Sequence, residues 1–353
     1  MHMITKTKQD ESGFASITIA LVLILVLALI TIGFAQLSRR EQQSALNKQL
    51  AAQANYAAES GINEVAKLIE QNPSAIPNSP NTCLSPSIIG GSPTSNQIDN
   101  TRDVLYTCAL ADLNPKSLEK DLAADTAWYT TFSTSPALSS LKITWQHNGS
   151  DAKSPKSAMP TGSEFQPPTS WGDSPAVLQV NITPLSGSRS DWVNRSFTVY
   201  LYPSTSAGNT VSYASNTQGG SVISGSCIPT TGVCNAKIDN LPTGAGSFLL
   251  HVVDYYDPSK IKVTGTNGSD DVEFNNAQAV VDVTGKARNV LKRLRVRIPL
   301  NQASPLPNYA LEAKNICKRQ QTSPAKTDYF SANGSAASST SNTECFLGNT
   351  STD

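Results

Sequence analysis

Charge is scarce in this chain, and it is missing most completely near the start. Only 15% of the 353 residues are Asp, Glu, Lys or Arg, with 27 of each sign and a formal net charge of zero. No charged residue lies between Ser12 and Ser38. A neutral balance gives no overall electrostatic pull toward nucleic acid or acidic partners. Histidine is limited to His2, His147 and His251, which are far apart in sequence. No H-E-x-x-H, G-x-S-x-G or phosphate-loop pattern occurs, so the common hydrolase and nucleotide-binding frameworks are absent. The expectation is a non-enzyme with no cofactor and no metal. Cys227 and Cys234 have no second Cys or His couple beside them for zinc. The acids of "NGSDD" (267–271), with Asp254 and Asp257, lack the spacing of a calcium loop and read as polar turns. Proline is absent before Pro73 and cysteine before Cys83.

What is present follows from these gaps. Phe14 to Ala35 is 22 residues of nearly unbroken apolar side chain, which as a helix spans about 33 Å, enough for a bilayer core. A secretory signal core is roughly 7–15 residues, so the segment is long for that class. Gly33 and Ala35 nevertheless form a small-x-small cleavage pattern, which would release a chain starting at Gln36. A permanent single-pass anchor is the other reading that the apolar run by itself leaves open. Lys6 and Lys8 before the segment balance Arg39 and Arg40 after it, so the positive-inside count does not orient it.

The helical pattern continues past the apolar run. Leu46, Leu50, Ala54, Ala57, Ala58, Gly61, Val65, Leu68 and Ile69 recur at three-and-four spacing. Pro73 disfavours helix at Asn72. One helix is therefore expected over 14–72, with 14–35 apolar all round and the remainder amphipathic. It would measure about 88 Å.

Beyond 73, Pro, Gly, Ser, Thr and Asn dominate and the period changes to two. Strands are predicted at 140–146, 176–183, 197–203, 247–256, 278–285 and 292–300. A short helix is predicted within 114–128, with Asn114 as cap and Pro115 at its first position. The stretches 150–174, 204–226 and 331–353 read as exposed loops or a frayed end. The fold class is α+β: a long N-terminal helix, then an antiparallel β-rich head over 73–353, divisible at 160/161 into subdomains 73–160 and 161–353. Six cysteines, Cys83, Cys108, Cys227, Cys234, Cys317 and Cys345, all follow the apolar run. An even count there points to disulfides in an oxidising compartment, which places the C-terminal bulk outside the membrane. Many pairings are open to six cysteines, and nearest neighbours are the expectation. In the loop-entropy model each of the two longer loops is worth roughly 3–4 kcal/mol and the 227–234 loop about 2.5 kcal/mol. Free buried thiols in a cytosolic protein are the alternative.

The stretch "SGFASITIALVLILVLALITIGFAQLSRREQQSALNKQLAAQANYAAESGINEVAKLI" resembles the N-terminal region of type IV pilins, specifically the PilX-type minor pilin family. The resemblance covers about residues 9–70. It is carried by a short basic leader ending in Gly13, by Phe14 at the head of the apolar helix, and by the Ala-Ala-Glu-Ser-Gly block at 57–61. It implies a leader over 1–13, cut between Gly13 and Phe14 by a prepilin peptidase, and methylation of the new amino group. It implies a helix that sits first in the membrane, with its N-terminus cytoplasmic, and then in the core of an extracellular filament. The implied partners are other pilin subunits and a pilus assembly platform. The implied role is to join or prime a pilus used in motility, adhesion or DNA uptake. Major pilins carry a Glu at the fifth mature position, and here that position is Thr18. Its absence favours a minor subunit over the bulk building block. A pseudopilin of a secretion or competence system shares the same N-terminal signature, and an anchored binding ectodomain is the remaining alternative.

One basic strip stands out at 286–297. In "RLRVRI", Arg293, Arg295 and Arg297 alternate with Leu294, Val296 and Ile298, which puts the three guanidiniums on one face of a strand. They are candidates for contact with a polyanion, either DNA or an acidic host surface. The structural alternative is a half-buried strand whose charges pair with the acid-rich 254–273 stretch or with a neighbouring subunit.

Overall fold

The computed structural model describes residues 12–77, 79–89, 97–99, 101, 103–159, 168–206, 208–215, 217–301, 317–323 and 326–331. Helix α1 runs Ser12–Gln71 without interruption. Sixty residues at 1.5 Å each make a rod about 90 Å long. It stops one residue before Asn72, which leaves helical geometry at φ −153°, and a 3-10 turn follows at Pro73–Ala75. The residue before a proline is pushed out of the α region by the ring, so sequence sets this end.

Among the described residues, three short α-helices and eighteen strands follow α1. The helices are α2 (Pro86–Ile89), α3 (Pro168–Trp171) and α4 (Arg189–Arg195). The strands are β1 (Gln97–Asp99), β2 (Val104–Asp112), β3 (Ser117–Leu122), β4 (Ala127–Ser135), β5 (Ser140–His147), β6 (Val177–Pro184), β7 (Phe197–Ser204), β8 (Thr210–Ser212), β9 (Thr217–Cys227), β10 (Cys234–Asp239), β11 (Ser247–Tyr255), β12 (Ser259–Asn267), β13 (Asp270–Asp271), β14 (Glu273–Asn275), β15 (Gln278–Ala287), β16 (Val290–Pro299), β17 (Cys317–Ser323) and β18 (Lys326–Ser331).

The described residues fall into two compact units that are discontinuous in sequence. The first holds those within 12–76, 82–110 and 282–295, and the second holds those within 77–81 and 111–281 and from 296 onward. In the first, the amphipathic part of α1 packs on strand residues of the four-stranded sheet ordered β1-β2-β15-β16. Leu50, Ala54, Ala57, Val104 and Ala287 form its buried cluster, with Val290 against it.

The second unit is built on a twelve-stranded sheet, ordered β13-β12-β5-β10-β9-β7-β6-β11-β4-β14, with β3 added to β12 and β8 to β10. Its pairs are antiparallel except β7 with β9 and β8 with β10, which run parallel. Alternating burial on β11, β12 and β10 gives each strand one face for the core. That core is rich in aromatics: Phe132 lies 5.7 Å from Phe248 and edge-on to Phe274 at 5.1 Å. Trp145 is fully buried and donates its indole N–H to the Ala176 carbonyl at 2.9 Å.

All six predicted strands are present. The helix predicted within 114–128 is not: Ser117–Leu122 is strand β3, paired with β12. Leu118 and Leu122, four apart, suit one helix face and one strand face equally, and the free β12 edge decided between them. The stretch 204–226 is not a loop, since it contains β8 and most of β9. Its small residues have packing reasons. A Cβ on Gly225 would sit 2.1 Å from the Trp145 ring, and the Ser204 and Ser224 hydroxyls bond to each other in the interior at 2.5 Å. Residue 160 is not a sheet boundary either, because β5 pairs with both β10 and β12. The stretch 332–353 lies outside the described residues.

Candidate functional site: a two-part helix and its surroundings

Among the described residues, nothing covers the first part of α1. Ile17, Leu21, Ile24, Leu29, Phe34 and Leu37 are 53–68% exposed, and the whole most apolar window is unburied, with mean hydropathy 3.0. Among the described residues, α1 is the one helix long and apolar enough to cross a membrane. Thr31 is kept compatible with an apolar medium by local bonding: it donates its hydroxyl back to the carbonyls of Leu27 and Ala28 at 2.8 and 2.9 Å, so its hydroxyl proton is not left unbonded. Thr18 is exposed on the same apolar surface. Gly13 and Phe14 fall in the first turn of α1, and residues 1–11 of the expected leader lie outside the described residues.

The second part is seated. Its stripe is Leu50, Ala54, Ala57, Ala58, Gly61, Ile62, Val65 and Ile69, all buried. It starts one turn later than expected, since Leu46 is 50% exposed. Small residues bring the backbones together. A Cβ on Gly285 of β15 would lie 2.0 Å from the Ala54 carbonyl oxygen and 2.6 Å from the Ala58 nitrogen. A Cβ side chain on Gly61 would be tight as well, its Cβ position being 2.8 Å from Val283 and 3.0 Å from the Tyr106 ring. Tyr106 then donates its hydroxyl to Glu64 at 2.7 Å. The Ala-Ala-Glu-Ser-Gly block is thus a docking face: small residues for approach, then an acid one turn on to receive a phenol. Gly285 was missed in the sequence, although a glycine inside a strand pattern signals this kind of close approach.

Cys83 is bonded to Cys108 with Cα atoms 5.2 Å apart, tying the segment before α2 to β2. Beside the bond, the Leu84 N–H donates to the Ala109 carbonyl. Cys227 is bonded to Cys234, its direct partner across β9 and β10. Cys317 lies at the start of β17, and Cys345 lies outside the described residues.

The basic strip is not a free cationic face. Arg293 makes a two-pronged pair with Asp282, at 2.6 and 2.7 Å. Arg297 reaches Glu119 at 2.8 Å and the Ser117 carbonyl at 2.6 Å. Neither acid belongs to the expected 254–273 stretch. Asp282 sits on β15, the strand beside β16, and Glu119 on β3, which was read as helix. Of the three arginines read as one face, Arg295 is the one that is exposed with no partner among the described residues.

His147 bonds Asp257 through Nδ1 at 2.7 Å. Its ring lies over Gly149, where a Cβ would meet Nε2 at 2.3 Å. His251 stacks on Tyr129 at 4.0 Å, and burial pushes its pKa down. No group of three or more His, Cys, Asp or Glu among the described residues could hold a metal ion.

Residues 12–63 match the protein-family model described as PilX N-terminal. The match covers the whole exposed half of α1 and the docking block through Gly61, and supports a type IV pilus-related pilin role. No curated protein and no solved structure matches the chain.

Proposed function

Taking a PilX-type pilin N-terminal domain over residues 12–63 as premise, we propose that this chain is a minor type IV pilin that joins or primes a cell-surface filament. The observation that carries the reading is the contrast within α1. A helix whose apolar half is exposed all round, while its other half is fixed to a folded sheet, suits a subunit that exchanges lipid for neighbouring helices. A prepilin peptidase would cut between Gly13 and Phe14 and leave an amino group open to methylation. Thr18 offers no carboxylate to pair with a neighbour's amino terminus, which suits a sparse or priming subunit. A carboxylate there would be costly without its partner. The chain would pass from a single-pass membrane form to the extracellular pilus, with other pilins and the assembly platform as partners. Over 73–353 the expected extracellular head carries the disulfides, in keeping with an oxidising compartment.

N-terminal sequencing of the mature chain tests this directly. A start at Phe14, with or without a methyl group, is the expected result. A retained Met1 would make it an anchored ectodomain, and a start at Gln36 a secreted protein. Sheared filaments then separate pilin from pseudopilin: the pilin is recovered in the filament fraction, the pseudopilin only in the envelope.

A further inference from the structure

The turn between β11 and β12, residues 254–259, combines a buried acid with a strained backbone. Asp254 is fully buried, and neither carboxyl oxygen has a hydrogen-bond partner among the described residues. Its backbone N–H donates to the Thr126 carbonyl at 2.9 Å, and across β6 it faces the apolar Leu178. The charged groups acting on it are Asp257, on its own turn, and Asp125, in the turn before β4. Asp257 is itself taken by His147 of β5, and Lys153 acts on Asp257 rather than on Asp254. Ser259 turns its hydroxyl to the Asp257 carbonyl at 3.4 Å. Between the two acids, Tyr256 holds φ +78°, a conformation that a bulky side chain adopts at a cost of order 1–3 kcal/mol. It is kept there by stacking on Trp171 at 4.3 Å. Trp171 is fixed in turn by Tyr202, edge-on at 5.7 Å, and by Lys156, 4.8 Å above its ring.

We propose that the Asp254 carboxyl is a proton lock on this turn: as the neutral acid it keeps the corner closed under the Trp171–Tyr256 stack, and its ionisation opens the corner. When the proton leaves to solvent, the new charge meets two carboxylates, and among the described residues no cation acts on it. Water is then the available stabiliser, and Tyr256, already strained, is the residue whose release lets water in. Burial is the main cause that pushes the Asp254 pKa up from 3.8 to about 8. Ser259 opposes this without a hydrogen bond of normal geometry, and Asp257 and Asp125 add to it. The folded chain therefore binds the proton more tightly than the unfolded one. Between pH 3.8 and about pH 8 the unfolded state has lost a proton that the folded state keeps. Stability accordingly falls as pH rises through that window, and the ionisation penalty of Asp254 is absent below it.

Hydrogen exchange on the full chain in detergent micelles, corrected for intrinsic rates, tests the lock. Protection over 254–259 is expected to fall about tenfold or more from about pH 6 to about pH 9, while β5 stays protected. Asp254→Asn is expected to remove that pH dependence and to raise the melting midpoint at about pH 8, with the two proteins converging in acid. A variant with the wild-type pH profile would overturn the proposal. If the variant does not fold, the infrared carbonyl band of a buried neutral carboxyl in the wild type decides. Its presence at about pH 6 and loss at about pH 9 supports the lock, and its absence at about pH 6 sinks it.

Discussion

Residues 17–37 and residues 50–69 belong to one helix, yet they treat apolar surface in opposite ways. The first stretch shows large side chains, Ile, Leu, Val and Phe, to the outside. The second hides small ones, Ala54, Ala57, Ala58 and Gly61, against strands. Large exposed side chains need a medium or a neighbour that can be exchanged. Small buried ones need a fixed partner shaped to them, because a close backbone approach tolerates no substitution. The difference teaches where specificity lies. The exposed half requires only apolarity and length, whereas the docked half requires particular residues.

The contrast can be broken most severely at Gly285. Gly285→Val puts a side chain into the backbone of α1, and the first unit should lose more than about 3 kcal/mol. Denaturation of the full chain in micelles would show it, and a midpoint equal to wild type would refute the close approach. Removing the staple is the next largest change. With Cys83→Ala and Cys108→Ala together, the loss should be ~3 kcal/mol, equal to the effect of reductant on the wild type at that bond. A stability indifferent to both would mean that the segment before α2 is held by other contacts. Tyr106→Phe takes only the hydroxyl from Glu64 and should cost about 1 kcal/mol, read from the same transition. At the small end, Leu25→Ala should leave that transition unmoved and instead change recovery in filaments or membranes. A clear destabilisation of the folded units by Leu25→Ala would erase the distinction between the halves.

Much of this was readable in the residues, and the misses have physical causes. The helix end at Asn72 and the six alternating strands are local effects of Pro73 and of β-branched side chains. Strand β9 was hidden because its Gly and Ser residues answer to Trp145 and Ser204, which are distant in sequence. Strand β3 was hidden because a four-residue spacing of leucines fits two periods. The Arg293 and Arg297 partners required knowing that β15 lies beside β16 and that β3 is a strand. At the candidate site, the apolar half of α1 and the small-residue block were legible from pattern and resemblance. Gly285, the residue against which that block fits, was visible only as a glycine inside a strand. The buried, unpartnered state of Asp254 could not be read at all, since "VVDYYDPS" looks like an ordinary turn.

The continuity of α1 has a mechanical consequence. From Ser12 to Gln71 there is no break, so a push or pull on residues 17–37 travels along hydrogen-bonded backbone to the strands seated at residues 50–69. A shift of the apolar half by one turn carries that docked face with it by about 5.4 Å. Within the apolar half, Gly33 is the one residue without a side chain, and nothing lies within 4 Å of the place where its Cβ would be. A glycine inside a helix weakens it by roughly 0.5–1 kcal/mol. Under a bending load the rod should therefore flex first at Gly33, well short of the seat, while an axial load still passes along the unbroken backbone.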